Sequence, residues 1–174
     1  MNPFEELYQT IEKEQPALFA QLLPAATPKA IEDFEKTLTL SLPDDFKELY
    51  LLFNGFAPHT YLYDGLRLLP LNEIIEQTQH IKGSPVVTYE MAGEFFIANK
   101  KQNNLLIIAL YEPSNPDIAW VGLKLSPSKK TQKISGKICL MYKEGGIHDF
   151  EEMVSIGETF GEWIESLDIV LKDL

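Results

Sequence analysis

Apolar residues recur at helical spacing at both ends of the chain and at strand spacing in its middle. Phe4, Leu7, Tyr8 and Ile11 fall at i, i+3, i+4 and i+7, on one face of a helix. Pro16 ends or kinks that helix, and a short apolar segment, ALFAQLL, runs up to Pro24. Thr27-Pro28 then gives a strong helix start: the hydroxyl can cap free backbone N–H groups, and proline suits the first helical position. Ala30, Ile31, Phe34 and Leu38 share a face of this second helix. Ser41-Leu42-Pro43 restarts the chain as another helix, with Phe46, Leu49, Tyr50 and Phe53 inward and Asn54-Gly55 as its stop.

The middle reads as sheet. Tyr63-Asp64-Gly65-Leu66 is a hairpin turn by composition, since Asp-Gly tolerates positive φ. A helix over 71–81 turns Leu71, Ile74, Ile75 and Ile81 inward. Five short segments rich in β-branched and aromatic residues follow: 86–91, 94–99, 105–111, 118–125 and 137–142. Residues 112–117 are a loop, and the polar, basic 126–135 are a mobile loop or an extended hairpin tip. Ser155 and Glu158 form a capping box, and Phe160, Trp163, Ile164, Leu167 and Leu171 line the helix it opens. Helices, then strands, then one closing helix predict an α+β fold, a mostly antiparallel sheet with helices packed on one face.

Length fits a single domain over 1–174. No apolar run approaches the roughly 18 residues of a membrane span. The acidic, amphipathic N-terminus lacks the form of a secretion signal. Cys139 is the one cysteine, which excludes an intrachain disulfide and fits a reduced, cytoplasmic protein. The net charge of −11 is unevenly placed. Residues 1–55 hold ten acids and four lysines, and 144–174 nine acids and one lysine. Residues 56–143 hold seven acids and ten bases. Such a field repels phosphate backbones and attracts basic partners, or serves solubility alone; no direct nucleic-acid binding is expected, nor membrane binding without an apolar span.

Catalytic motifs are missing. There is no G-x-S-x-G elbow, no P-loop and no dinucleotide glycine pattern. His59, His80 and His148 are far apart and outside any short metal-binding spacing, so neither metal nor cofactor is expected. Cys139 sits in an apolar strand and reads as core. Asp44-Asp45 is the most tempting acid pair. Adjacent helix residues point about 100° apart, however, and carboxylates in a first turn offset the helix dipole. Lys129, Lys130 and Lys133 form a basic cluster without interleaved aromatics. Phe56, Tyr61, Tyr63 and Trp120 are loop or sheet-edge aromatics of the kind that anchor partners, and about half of them belong to the core by periodicity.

Three ordered blocks carry a family pattern. AIEDFEKTLTLSLPDDFKELYLLFNGF (30–56), LRLLPLNEII (66–75) and SIGETFGEWIESL (155–167) resemble the helical opening, the strand-then-helix step and the closing helix of the SUKH superfamily, founded on the SMI/KNR cell-wall regulators. The likeness covers 27–170, with 1–26 as a helical extension. Pro43, Asp45, Phe46, Asn54, Gly55, Pro70, Glu73, Phe160 and Trp163 are the matched fold-determining positions. The glycine-paired hairpin common in the family is absent; Tyr111 to Val121 stands in its place.

The resemblance implies a non-catalytic binding module. In bacteria many such proteins are immunity proteins that neutralise polymorphic toxins, often nucleases. The alternative on the same fold is a regulatory scaffold or adaptor, and a third reading is an enzyme using His148 with Asp149 or nearby glutamates. A basic toxin domain is the partner expected for the first. Tyr61, Tyr63, Asp64, Glu112, Asp117 and Glu144 are the expected contacts, because acids match a basic partner and tyrosines give contact area at small entropy cost.

Overall fold

The computed structural model describes residues 2–62, 65–82, 87–91, 94–98, 105–111, 118–127, 134–142 and 159–173. Helix α1 (Pro3–Glu14) starts where Asn2 accepts the Glu5 N–H at 2.9 Å, and it buries Phe4, Leu7, Thr10 and Ile11. Tyr8 is half-buried and packs on Phe19 and Phe53. After Gln15 the chain forms the single turn α2 (Pro16–Phe19). Helix α3 (Pro28–Leu38) is capped by Thr27, whose hydroxyl accepts the Ala30 N–H at 3.1 Å. Ile31, Phe34 and Leu38 are buried, but Ala30 is exposed. Ala30 lies in the first turn, and the packed surface of the helix begins one residue later.

Helix α4 (Asp44–Leu52) buries Phe46, Leu49 and Tyr50. It ends earlier than its glycine suggests, because Phe53 is already extended (φ −155°) although its side chain is buried. Asn54-Gly55 therefore acts beyond the helix, in tertiary contacts. Gly55 has φ +72°, and a Cβ there would stand 2.6 Å from the Leu69 carbonyl carbon and 2.7 Å from the Pro70 nitrogen. Asn54 Oδ1 accepts the N–H of Leu71 at 2.9 Å. That bond satisfies a free donor at the start of α5 (Leu71–Lys82), which follows the short strand β1 (Leu66–Leu68). Gly65 takes φ +78°; Tyr63 and Asp64, the other half of the expected turn, lie outside the described residues.

The other strands are β2 (Val87–Met91), β3 (Glu94–Ala98), β4 (Leu105–Tyr111), β5 (Ile118–Pro127) and β6 (Ile134–Tyr142). They form one sheet in the order β1-β4-β5-β6-β2-β3, with every neighbouring pair antiparallel. The α+β class expected from the sequence is observed. Strands β5 and β6 run further than their apolar stretches, because pairing continues to Pro127 opposite Ile134. Ser126, Pro127, Ile134 and Ser135 are thus ladder, which fits the extended hairpin of the two alternatives; residues 112–117 and 128–133 lie outside the described residues.

Leu105 to Leu110 are all buried, so both faces of β4 are covered. A bulge between Ile107 and Ala109 breaks the ladder with β5. Thr78 of α5 accepts the Ile107 N–H at 3.0 Å, and Ile108 O accepts the Leu69 N–H at 2.9 Å. These bonds supply partners next to the irregularity and pin α5 and the end of β1 onto β4.

Helix α6 (Phe160–Asp173) packs against α1, α4 and β6. Phe160, Trp163, Ile164, Leu167 and Leu171 are buried, joined by the polar Asp168. Phe46 stacks on Tyr50 at 4.4 Å and meets Phe160 at 5.2 Å, which links α4 to α6 through aromatic rings. The capping box observed is Thr159 with Glu162: each backbone N–H donates to the other's side chain, at 2.9 and 3.2 Å. Ser155 and Glu158 lie outside the described residues. Among the described residues no helix is long and apolar enough to cross a membrane.

Candidate functional site

An open cleft of about 530 Å³ lies at the start of α4. Ser41, Leu42, Pro43, Asp44, Asp45 and Lys47 line it, together with Ile134, Ser135 and Gly136 of β6 and with Thr159. Glu35 of α3 holds the approach to α4. Its carboxylate accepts the Leu42 N–H at 2.8 Å and pairs with Lys47 at 3.1 Å. Pro43 sets the entry with φ −60° and ψ 148° and provides no side-chain cap, so the negative charge of the first turn comes from Asp44 and Asp45. On the β6 side a Cβ at Gly136 would lie 2.5 Å from Leu123 Cδ1, so any side chain there would displace that of Leu123.

The two aspartates differ in role. Asp44 is exposed on the cleft. Asp45 is half-buried and accepts the N–H of Phe46 at 2.8 Å and that of Gly161 in the first turn of α6. Burial pushes its carboxyl above the ordinary value of 3.8, the hydrogen bonds from Phe46 and Gly161 oppose this, and the neighbouring Asp44 charge adds to the rise. Asp45 is thus committed to two helix starts, and Asp44 is the acid offered to solvent. With hydroxyls from Ser41, Ser135 and Thr159 nearby, the cleft suits a donor-bearing cationic group better than an anion.

Among the described residues no group of three or more His, Cys, Asp or Glu side chains is placed to hold a metal. Cys139 is buried, and burial pushes its thiol up to about 12, which keeps it from acting as a thiolate.

Of the six residues expected to contact a partner, Tyr61 is described: it is half-buried and already engaged with other groups. Tyr63, Asp64, Glu112, Asp117 and Glu144 lie outside the described residues, as do Lys129, Lys130, Lys133, His148 and Asp149. Phe56 is fully buried, with its ring 5.9 Å from that of Phe53, and so offers nothing to a partner. Trp120 is partly buried in β5 and packs on the core. The matched positions sit inside the fold: Pro43, Phe46, Pro70, Phe160 and Trp163 are buried, and Glu73 pairs with Arg67 at 2.7 Å.

Sequence reasoning missed Thr159, Ser135 and Arg67. A signal for the first was present, since Thr159-Phe160-Gly161-Glu162 is itself a T-x-x-E capping box. Nothing local marked Ser135 as cleft lining. Arg67 is a buried cation within a strand, with Nε and Nη1 lacking partners among the described residues, and periodicity carries no sign of that.

Comparison with known proteins gives two findings. The SMI1 / KNR4 family (SUKH-1) matches residues 25–166. The uncharacterized protein YnaB of Bacillus subtilis (strain 168) is 33% identical over 96 residues, covering 53% of this chain and 64% of that protein. The match thus spans less than two thirds of the relative's length.

Proposed function

The chain belongs to the SMI1 / KNR4 family (SUKH-1), and from that premise we propose that it is a non-catalytic protein-binding module of the immunity type, which binds and blocks a basic toxin domain in the cytoplasm. The observation that carries this reading is Asp44. It is an exposed acid beside an open cleft, on the LPDD segment that the family resemblance singles out. The charge distribution supports it further. Acids dominate residues 1–55 and 144–174, and such a field speeds encounter with a basic partner. Tyr61, Tyr63, Asp64, Glu112, Asp117 and Glu144 supply the rest of the contact surface in this proposal.

The test is co-expression with toxin domains encoded beside the gene, followed by pull-down. Protection of the host together with a stable complex is the expected result. Absence of protection, with housekeeping proteins recovered instead, would replace the immunity reading with an adaptor on the same fold.

A further inference from the structure

Strand β3 is a terminal strand of the sheet, and among the described residues nothing pairs with its outer edge. Its geometry fixes which backbone groups face outward. Two residues separate Met91 of β2 from Glu94 of β3, so in a two-residue hairpin that pair exchanges hydrogen bonds. The pattern alternates along an antiparallel ladder. Glu94, Phe96 and Ala98 thus direct their N–H and C=O groups to Met91, Tyr89 and Val87, and Phe95 and Ile97 direct theirs away from β2. Proteins usually protect such edges with proline or lysine, and β3 contains neither.

We propose that this edge pairs with the same edge of a second copy of the chain, antiparallel and about a two-fold axis at Phe96. The outward groups suit that arrangement. Phe95 of one copy lies level with Ile97 of the other, so both pairs exchange N–H and C=O, giving four hydrogen bonds. Phe96 meets Phe96 as the intervening non-hydrogen-bonded pair. Glu94 lies level with Ala98, so no like charges fall opposite one another. Charge placement favours this edge too. β3 belongs to the stretch 56–143, which holds seven acids and ten bases, while the acids that would repel a second copy concentrate at the two ends of the chain. The proposal is independent of toxin binding.

Sedimentation equilibrium over a range of protein concentrations tests it, with amide hydrogen exchange on the same samples. The expected result is a monomer–dimer equilibrium in which the Phe95 and Ile97 amides slow at least tenfold between the dilute and the concentrated sample, while Phe96 and Ala98 are slow in both. Ile97→Pro, which removes an outward N–H and no bond to β2, should leave a folded monomer. A protein that stays monomeric throughout overturns the proposal, as does a dimer in which Phe95 and Ile97 exchange unchanged. Protection of those two amides only when a toxin domain is added would also overturn it and assign the edge to a partner's strand.

Discussion

The carboxylate of Asp45 in α4 accepts the backbone N–H of Gly161 in the first turn of α6, so one side chain serves two helix starts more than 100 residues apart in sequence. It joins the LPDD segment to the closing helix and forms part of the cleft wall. Replacing it tests that double role. Asp45→Ala removes an acceptor from both helices and should cost about 1–2 kcal/mol. Asp45→Asn keeps an acceptor oxygen and should cost less than about 0.5 kcal/mol at pH 7. The pH dependence has a definite sign. Burial raises the folded carboxyl above 3.8, so it holds its proton longer folded than unfolded. Its contribution is fully present below the unfolded value and is lost as pH rises through the folded one. Urea titrations across that window should show wild type losing stability relative to Asp45→Asn.

Gly55 is predicted to be intolerant of any side chain. Its φ of +72° is strained for other residues, and a Cβ would stand 2.6 to 2.8 Å from backbone atoms of Leu69 and Pro70, which cannot rotate away. Gly55→Ala should cost at least about 2 kcal/mol in thermal or urea unfolding. Gly161→Ala is the contrast. Its Cβ would meet only Asp45 Oδ2 at 3.8 Å and Phe4 Cζ at 3.9 Å, ordinary contacts, so the helix should gain about 0.5–1 kcal/mol.

What the sequence disclosed and what it hid divide along physical lines. The inward faces of α1, α4 and α6 follow from spacing alone, because a 3.6-residue repeat puts Phe46, Leu49 and Tyr50, or Phe160, Ile164 and Leu167, on one stripe whatever they pack against. The reading of Asp44-Asp45 as helix-start acids rests on equally local physics. The second partner of Asp45, the approach of Gly55 to Leu69 and the cap that Asn54 gives Leu71 are contacts between distant segments, and no local pattern encodes them. Buried Arg67, Thr78 and Asp168 belong with these. Each is polar where periodicity expects apolar or exposed residues, and each is explained by a partner elsewhere in the chain.

Asp168 gives a third prediction. It is buried in α6, accepts a hydrogen bond from Thr10 of α1 and pairs with Lys172, which also lies 3.8 Å from Glu6. Thr10→Val keeps the shape and leaves the buried carboxylate one donor short, which should cost about 1–3 kcal/mol. If the bond couples the two helices, the combined Thr10→Val, Asp168→Asn variant will lose less than the sum of the single losses in urea unfolding.

Cys139 should be silent to thiol reagents in the folded protein. Its thiol is buried and pushed up to about 12. A colorimetric disulfide reagent at pH 8 should label it only as fast as the chain unfolds, and labelling should become immediate in denaturant. Rapid labelling of the native state would show that β6 opens locally.

The sharpest functional prediction separates Asp44 from Asp45. Both line the cleft, but Asp45 is bound to Phe46 and Gly161, while Asp44 is exposed. If the cleft receives a basic side chain of the proposed partner, Asp44→Lys puts like charge against it and should weaken binding of that toxin domain by at least tenfold, an effect that added salt should reduce. The melting temperature should change little, because the substitution costs only the favourable dipole interaction of one exposed first-turn acid, up to about 1 kcal/mol. Asp45→Asn should show a much smaller loss of affinity. Equal binding by wild type and Asp44→Lys, measured calorimetrically at two salt concentrations, would remove the cleft from the partner surface and leave Tyr61, Tyr63 and Asp64 as the residues to test.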